Sequence, residues 1–383
     1  LNMAPVFRKF TKRVFVTINI ILSCIFLLAC CNAFLPPHQW WLIALLGLTF
    51  PFLLILVASF SLFWIIFRSK WTLLSLLTLL AGYNNIRALV GFHYGKVVKT
   101  QKTEEAIRIL TWNVSWFDEQ LKSDKSRISY RSRMLEFIKE NQPDVLCFQE
   151  YFEPHSRRYL YSNRKDITGL GYPYSMVVND YTGWKNSWQT GIAIFSKYPI
   201  TDSIHIRYPG PLNFRAAESL IGTDIDFRGR KIRVFTTHLQ SVLFKSNDYR
   251  NIELIKRAAS DSMIEASKSV ALKLAQGYKF RSQQVQIVRQ QLDSSPYPEI
   301  ICGDFNDVPN SYTYFKIKGD RKDAFTQAGK GIGRTFSNVA PTLRIDYIMT
   351  DKQFDVQQYM RYFVPYSEHY PVIADLTLRD TAN

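Results

Sequence analysis

The sequence predicts an α/β fold of the α+β kind, a layered sandwich of strands and helices, carried behind a set of N-terminal membrane helices. Three observations predict it. Residues 14–92 hold long apolar runs almost free of charge, and from Ala106 onward short runs rich in Ile, Val and Phe alternate with polar loops. Few helical stretches interrupt those short runs, which favours packed sheets with helices outside. The composition agrees: 47% hydrophobic and 15% aromatic residues exclude a disordered chain, and 383 residues exceed one ordinary domain.

In chain order, the first run, 14–35, is uncharged, follows Arg8, Lys9, Lys12 and Arg13, and stops at Pro36-Pro37. It offers the ~20 apolar residues that a helix needs to cross ~30 Å of hydrocarbon. A cleaved signal is the alternative, because Leu28-Ala29-Cys30 resembles a lipoprotein processing site, but two further apolar runs make an anchor the simpler reading. The second run, 41–67, opens on tryptophans suited to a bilayer interface and closes at Arg68 and Lys70. The third, 71–92, is interrupted by Asn84, Asn85 and Arg87; it crosses as another span or lies on the bilayer as an interfacial helix. Residues 1–95 therefore read as a membrane anchor of two to three transmembrane helices (about 14–35, 41–67 and 71–92), and 96–105 as a polar linker.

Charge separates the same two portions. Lys+Arg 48 minus Asp+Glu 32 gives +16, yet the first hundred residues hold nine basic and no acidic side chains, leaving 39 − 32 = +7 for the rest. Basic groups flanking apolar runs fit a lipid bilayer rather than a nucleic-acid patch, and the positive-inside rule places both basic ends in the cytoplasm. The expectation is a multi-pass protein of the inner cell membrane; if the third run crosses, everything after Gly95 is extracytoplasmic. Five cysteines are too few for a disulfide scaffold, and Cys147 and Cys302 read as buried free thiols.

Beyond Ala106, strands are expected at 107–111, 145–148, 191–195, 232–237, 299–302 and 344–349, with helices at 129–139 and within 249–292. Their endings matter most. Asn113, Gln149-Glu150, His238, Asp304 with Asn306, and Asp346 each follow an apolar run, so their polar groups can meet at one edge of a rigid scaffold. Singly, Glu150 reads as a loop carboxylate, Asn113 as a turn residue and His238 as a satisfied buried histidine. The Cys302-Gly303-Asp304-Phe305-Asn306-Asp307 turn is more specific: glycine lets the backbone approach a ligand, and Asp304 and Asn306, two apart, point the same way. Asp346 and Ser367-Glu368-His369 add a carboxylate and an imidazole, a pair that orients the ring and stabilises its protonated form.

The ordered set Thr111-Trp112-Asn113, Gln149-Glu150, Thr237-His238-Leu239, Gly303-Asp304-Phe305-Asn306, Ile345-Asp346-Tyr347 and Ser367-Glu368-His369 resembles the endonuclease/exonuclease/phosphatase superfamily, the DNase I-like proteins. The resemblance covers about residues 105–380 and implies a four-layered α/β sandwich over a catalytic domain at 106–383. It implies a divalent cation, Mg²⁺ or Mn²⁺, at Glu150 with Asn113 and Glu368 beside it, and a water oriented or deprotonated by Asp304. Asn306, Asn113 and His238 would hold phosphate oxygens, and His369, paired with Asp346, would stabilise the developing charge. The family's usual Ser-Asp-His is Ser-Glu-His here, which leaves the role of Glu368 open.

The expected activity is hydrolysis of a phosphoester, a phosphodiester of a nucleic acid or a phospholipid head group. The alternatives are a non-catalytic membrane receptor for a phosphorylated ligand and a cytoplasmic DNA repair endonuclease. A helical, net basic insertion at about 243–292 is a solvated face, or brings Lys245, Arg250, Lys279 and Arg281 toward an anionic substrate. Trp184 and Trp188 are expected in the core, with stacking on a base or insertion into lipid as the alternatives.

Overall fold

The computed structural model describes residues 3–94, 101–121, 130–156, 161–210, 217–242, 246–257 and 263–379. Four helices open the chain: α1 (Met3–Cys30), α2 (Pro37–Ile66), α3 (Thr72–Ala81) and α4 (Tyr83–Leu89). The first two are long and apolar enough to cross a membrane. Phe26 stacks on Phe50 and Phe15 on Phe63, each pair at 5.1 Å, so α1 and α2 run antiparallel. The third apolar run is not one helix. It breaks at Gly82, where a Cβ would fall 2.4 Å from the Phe26 ring, so close packing against α1 selects glycine. The α3–α4 segment nevertheless runs back along α1: Ser75 donates to Asn19 at 3.0 Å and Asn85 to the Cys30 carbonyl at 3.2 Å.

The rest is built on two six-stranded sheets. One has the order β13 (Phe354–Arg361), β14 (Val372–Leu378), β2 (Ile107–Asn113), β3 (Val145–Pro154), β5 (Trp188–Ser196), β4 (Tyr174–Thr182). The other runs β10 (Lys322–Asp323), β12 (Asp346–Thr350), β9 (Glu299–Asp304), β8 (Arg230–His238), β7 (Leu220–Phe227), β6 (Ile200–Ile206). A short ladder of β1 (Gly91–Phe92) with β11 (Lys330–Gly331) ties the end of the helical segment to the sandwich.

Side-chain alternation makes the layers. Ile107, Ile109, Val145 and Cys147 meet Ile232, Val234, Ile300 and Cys302 between the sheets. On one outer face Leu110, Trp112 and Leu146 lie under α5 (Arg131–Asn141) and α6 (Asn163–Gly169). On the other, Phe235, Ile301 and Met349 lie under α8 (Met263–Asp293) and α9 (Tyr312–Lys318). Helices, sheet, sheet and helices form the expected four-layered α/β sandwich, completed by α7 (Ser246–Arg257) and the short α10 (Ala324–Ala328). The insertion is two helices, α7 and α8, and of its named cations Lys245 lies outside the described residues. Cys147 and Cys302 are buried and free, as expected, but Trp184 is 79% exposed rather than core, and Trp188 is half-buried against Trp116 at 4.6 Å.

Candidate active site

Strand register sets three of the site's side chains abreast. His238 on β8 is paired with Asp304 on the parallel β9, and Asp304 with Asp346 on the antiparallel β12. On the facing sheet Asn113 of β2 is level with Gln149 of β3, and Glu150 follows in a bulge at φ +52°. Gly303 shows why glycine precedes the aspartate: at φ +137°, any Cβ would lie 2.1 Å from the Thr237 carbonyl of the adjacent strand. The next turn then swings back, with the Asn306 amide N–H donating to Asp304 Oδ1 at 2.9 Å and its side chain to the Leu239 carbonyl at 3.0 Å.

Asp304 is the hub. Its Oδ2 accepts from Asn113 Nδ2 at 3.1 Å and stands 3.6 Å from Nε2 of both His238 and His369. Behind each imidazole lies a second acid. Asp346 places both carboxylate oxygens 3.1 Å from His369 Nδ1, and Glu218 places Oε2 3.3 Å from His238 Nδ1. Burial works against charge on the rings, but Asp346 and Asp304 hold His369 up at about 9, and Glu218, Asp304 and Glu150 hold His238 up at about 10. Both rings are therefore cationic at neutral pH and present N–H donors. Burial raises the Glu218 carboxyl to about 7 against the hydrogen bond from His238, and raises Asp346 against the charge of His369.

His369 is fixed from three further sides: its carbonyl accepts from Trp112 Nε1 at 2.9 Å, its amide N–H donates to Ser367 Oγ at 3.1 Å, and its ring lies 4.9 Å from that of Phe336. Ser367 Oγ donates to the Asn113 carbonyl at 2.8 Å, which ties the C-terminal loop to β2.

Donor atoms of Asp304, Asp346 and His369 fall within 4.8 Å of one another, close enough to hold a metal ion. A hard cation prefers oxygen, which favours carboxylates over the imidazole. The carboxylates of Asp304 and Asp346 fit it better, and Glu150 lies outside that three-residue cluster. Asn113 turns its nitrogen to Glu150 Oε1 (3.1 Å) and to Asp304, while its oxygen accepts from the Ser115 amide at 3.1 Å; it spaces the acids as a donor rather than facing them with an oxygen. Glu368 stands apart at the cavity rim, exposed, with Oε1 accepting from Asn338 at 2.7 Å. Sequence reasoning missed Glu218, whose carboxylate also accepts the Glu150 amide N–H at 2.9 Å and so supports both the bulge and His238.

The site opens into a cavity of about 600 Å³ bordered by Glu150, Asn306, Glu368 and His369 at one side and by residues of α2, α7 and α8 at the other. Arg281 of the insertion is buried there, donating to Asp307 at 3.2 Å and to the Gln240 carbonyl at 2.7 Å; Arg250 and Lys279 are exposed.

A family model described as "Endonuclease/Exonuclease/phosphatase family" matches residues 110–365, and one described as "Domain of unknown function (DUF8431)" matches residues 12–89. Among solved structures, the chain is similar to an endonuclease/exonuclease/phosphatase from Beutenbergia cavernae, with 18% identity over 72% of each chain and a TM-score of 0.52. It is also similar to one from Bacteroides vulgatus (21% identity, 73% of this chain and 100% of that one, TM-score 0.49). A third is the human Nocturnin catalytic domain with bound sulfate anion (18% identity, 73% and 96%, TM-score 0.49). No match is found among curated proteins.

Proposed function

We propose that this chain, which belongs to the endonuclease/exonuclease/phosphatase family, is a membrane-anchored hydrolase that cleaves the P–O bond of a phosphodiester with the help of a divalent cation. The observation that carries the reading is the pair of cationic imidazoles, His238 and His369, converging at 3.6 Å on the Asp304 carboxylate. Two imidazole donors set among the carboxylates of Asp304, Asp346, Glu218 and Glu150 suit a phosphate oxygen, a divalent cation and a water that must lose a proton.

Asp304 is the group to orient and deprotonate that water, since its Oδ1 is held by the Asn306 amide and its Oδ2 by Asn113. His369 and His238 donate to non-bridging phosphate oxygens, and Asp346 and Glu218 keep those rings oriented and charged. Asn306 and Asn113 add neutral donors. Glu150 would hold a Mg²⁺ or Mn²⁺ ion with the neighbouring carboxylates, and such a cation polarises a phosphoryl oxygen as a Lewis acid. Glu368, at the rim, is placed to hydrogen-bond substrate rather than to join that cluster.

The helix pairings support an orientation in the membrane. Antiparallel α1 and α2 put Arg8, Lys9, Lys12 and Arg13 at the same end of the bundle as Arg68 and Lys70, and the sandwich at the other. The positive-inside rule then puts the catalytic domain outside the cytoplasm. The test is turnover of bis-p-nitrophenyl phosphate by the purified full chain in detergent with Mg²⁺. Hydrolysis that is lost in Glu150→Ala and His369→Ala supports the enzyme; phosphate binding with no turnover by the unaltered chain would show a receptor instead. A C-terminal reporter active only inside the cell would overturn the placement.

A further inference from the structure

Resting on that reading, we infer that the far half of the catalytic cavity is a subsite for the hydrocarbon chain of a membrane lipid, and that anchor helix α2 forms one of its walls. The cavity lined by Glu150 and His369 is also lined by Leu48 of α2, Val242, Ile252 of α7, and Val270, Leu274 and Tyr278 of α8. Five of these six are aliphatic. Arg281 and Phe336 also line the cavity, but the Arg281 guanidinium is held by Asp307 and the Gln240 carbonyl. A nucleic-acid site would present free cationic groups along this path, whereas aliphatic walls shelter methylenes.

The sixth residue supplies an independent sign of a ligand. Tyr278 is 2% exposed, and its hydroxyl has no hydrogen-bond partner although it lines the cavity. A buried hydroxyl left unbonded costs roughly 1–3 kcal/mol. The oxygen-bearing linker that joins a lipid's phosphate to its chains would supply the partner this hydroxyl lacks.

The geometry of α2 explains how such a molecule arrives. From Leu48 to Ile66 the helix rises (66 − 48) × 1.5 Å, about 27 Å, close to the ~30 Å of a hydrocarbon core. With Ile66 at the cytoplasmic interface, Leu48 stands near the opposite one. Below it, Phe52, Ile55, Leu56, Leu62 and Ile65 are exposed, as lipid-facing residues would be. The cavity mouth at Leu48 is thus level with the outer bilayer surface, where a lipid can lift its phosphate to His369 while its chain remains among apolar side chains.

The test compares ethyl and dodecyl p-nitrophenyl phosphate on the full-length protein in one mixed-micelle system with Mg²⁺. Water adds to phosphorus, the P–O bond to the nitrophenyl group breaks, and p-nitrophenolate leaves, so both esters report the same chemistry. The expected result is a roughly hundredfold higher kcat/KM for the dodecyl ester, the effect of sheltering three to four methylenes. In Leu48→Asp and Leu274→Asp that ratio falls at least tenfold. Equal kcat/KM for the two esters in the unaltered protein overturns the subsite alone. A single-stranded oligonucleotide cleaved with a higher kcat/KM than the dodecyl ester also overturns it. Turnover of no phosphodiester overturns the hydrolase reading and the subsite with it.

Discussion

Asn113 and Asp304 meet across the seam between the two sheets, amide nitrogen to carboxylate oxygen at 3.1 Å. The same nitrogen lies 3.1 Å from Glu150, so a neutral donor separates two acids that would otherwise repel. Asn113→Asp keeps the shape and inverts the electrostatics, setting a third carboxylate against the pair. Its turnover of bis-p-nitrophenyl phosphate at neutral pH should fall at least a hundredfold, about 3 kcal/mol of barrier at ~1.4 kcal/mol per decade. Asn113→Ala, which removes the donor without adding charge, should lose roughly tenfold. An Asp variant as active as the Ala variant would show that the amide's neutrality is immaterial.

Asp346 touches His369 with both oxygens at 3.1 Å and is the largest support of that ring's charge against the opposing effect of burial. In Asp346→Asn the carboxylate is gone while the packing remains. The His369 ring, held up at about 9 in the unaltered chain by Asp346 and Asp304, should then titrate lower, since burial is left less opposed. The sign is definite: a ring protonated up to about pH 9 becomes neutral at lower pH, and its donor to phosphate is lost from the alkaline side first. Imidazole NMR of cation-free protein reads the shift directly. Turnover should drop ~10²–10³-fold, the scale of one lost oxyanion-type donor, with KM little changed.

How much of this was legible beforehand differs by residue. Asn113, His238 and Asp304 were legible because an apolar run closed by a polar residue is a local pattern, and they end β2, β8 and β9; Glu150 instead sits in a bulge within β3, and Asp346 opens β12 rather than ending a strand. Glu218 carries no such pattern: it lies before β7, which begins at Leu220, and in Ala217-Glu218-Ser219 it looks like any surface acid. A signal was present nonetheless. Arg228 and Gly229, at φ +56° and +80°, make a two-residue hairpin turn, and counting back from Phe227 opposite Arg230 brings Ser219 opposite His238, with Glu218 next in the chain and its amide N–H donating to the His238 carbonyl at 3.0 Å. Strands β4, β6 and β13 were not expected because their outer residues are polar and half-exposed, which weakens the apolar signal. The break at Gly82 depends on the Phe26 ring of another helix, and no local reading of 71–92 contains that contact.

The cation can be tested apart from the imidazoles. Glu150 is held at φ +52° in a bulge whose amide N–H donates to Glu218 at 2.9 Å, so its side chain is aimed by the backbone. Chelation should abolish turnover, and Mg²⁺ should restore it. Glu150→Gln removes one anionic oxygen from a hard-cation site and should raise the Mg²⁺ concentration for half-maximal rate at least tenfold. Unchanged Mg²⁺ dependence in this variant, with turnover retained, would move the cation to the Asp304 and Asp346 carboxylates.

The last prediction concerns the seam between the helical segment and the catalytic sandwich. Asn310, in the loop that follows the Gly303–Asp307 turn, donates to the Ala29 carbonyl of α1 at 3.0 Å and accepts from Asn85 of α4 at 2.6 Å. Its own backbone carbonyl crowds α2: a Cβ at Gly47 would lie 2.6 Å from that oxygen. Two effects of Gly47→Ala therefore oppose each other. Helix propensity favours alanine by ~1 kcal/mol, while forcing a methyl against an immovable backbone atom costs ~1–3 kcal/mol. The clash should win, lowering Tm by a few degrees in detergent and reducing turnover by shifting the loop that ends at the site. Gly169→Ala is the control, because nothing lies within 4 Å of the Cβ it would add in α6, and its Tm should hold or rise slightly. If Gly47→Ala matched that control in both Tm and turnover, the helical segment would be a tether without mechanical contact with the catalytic turn.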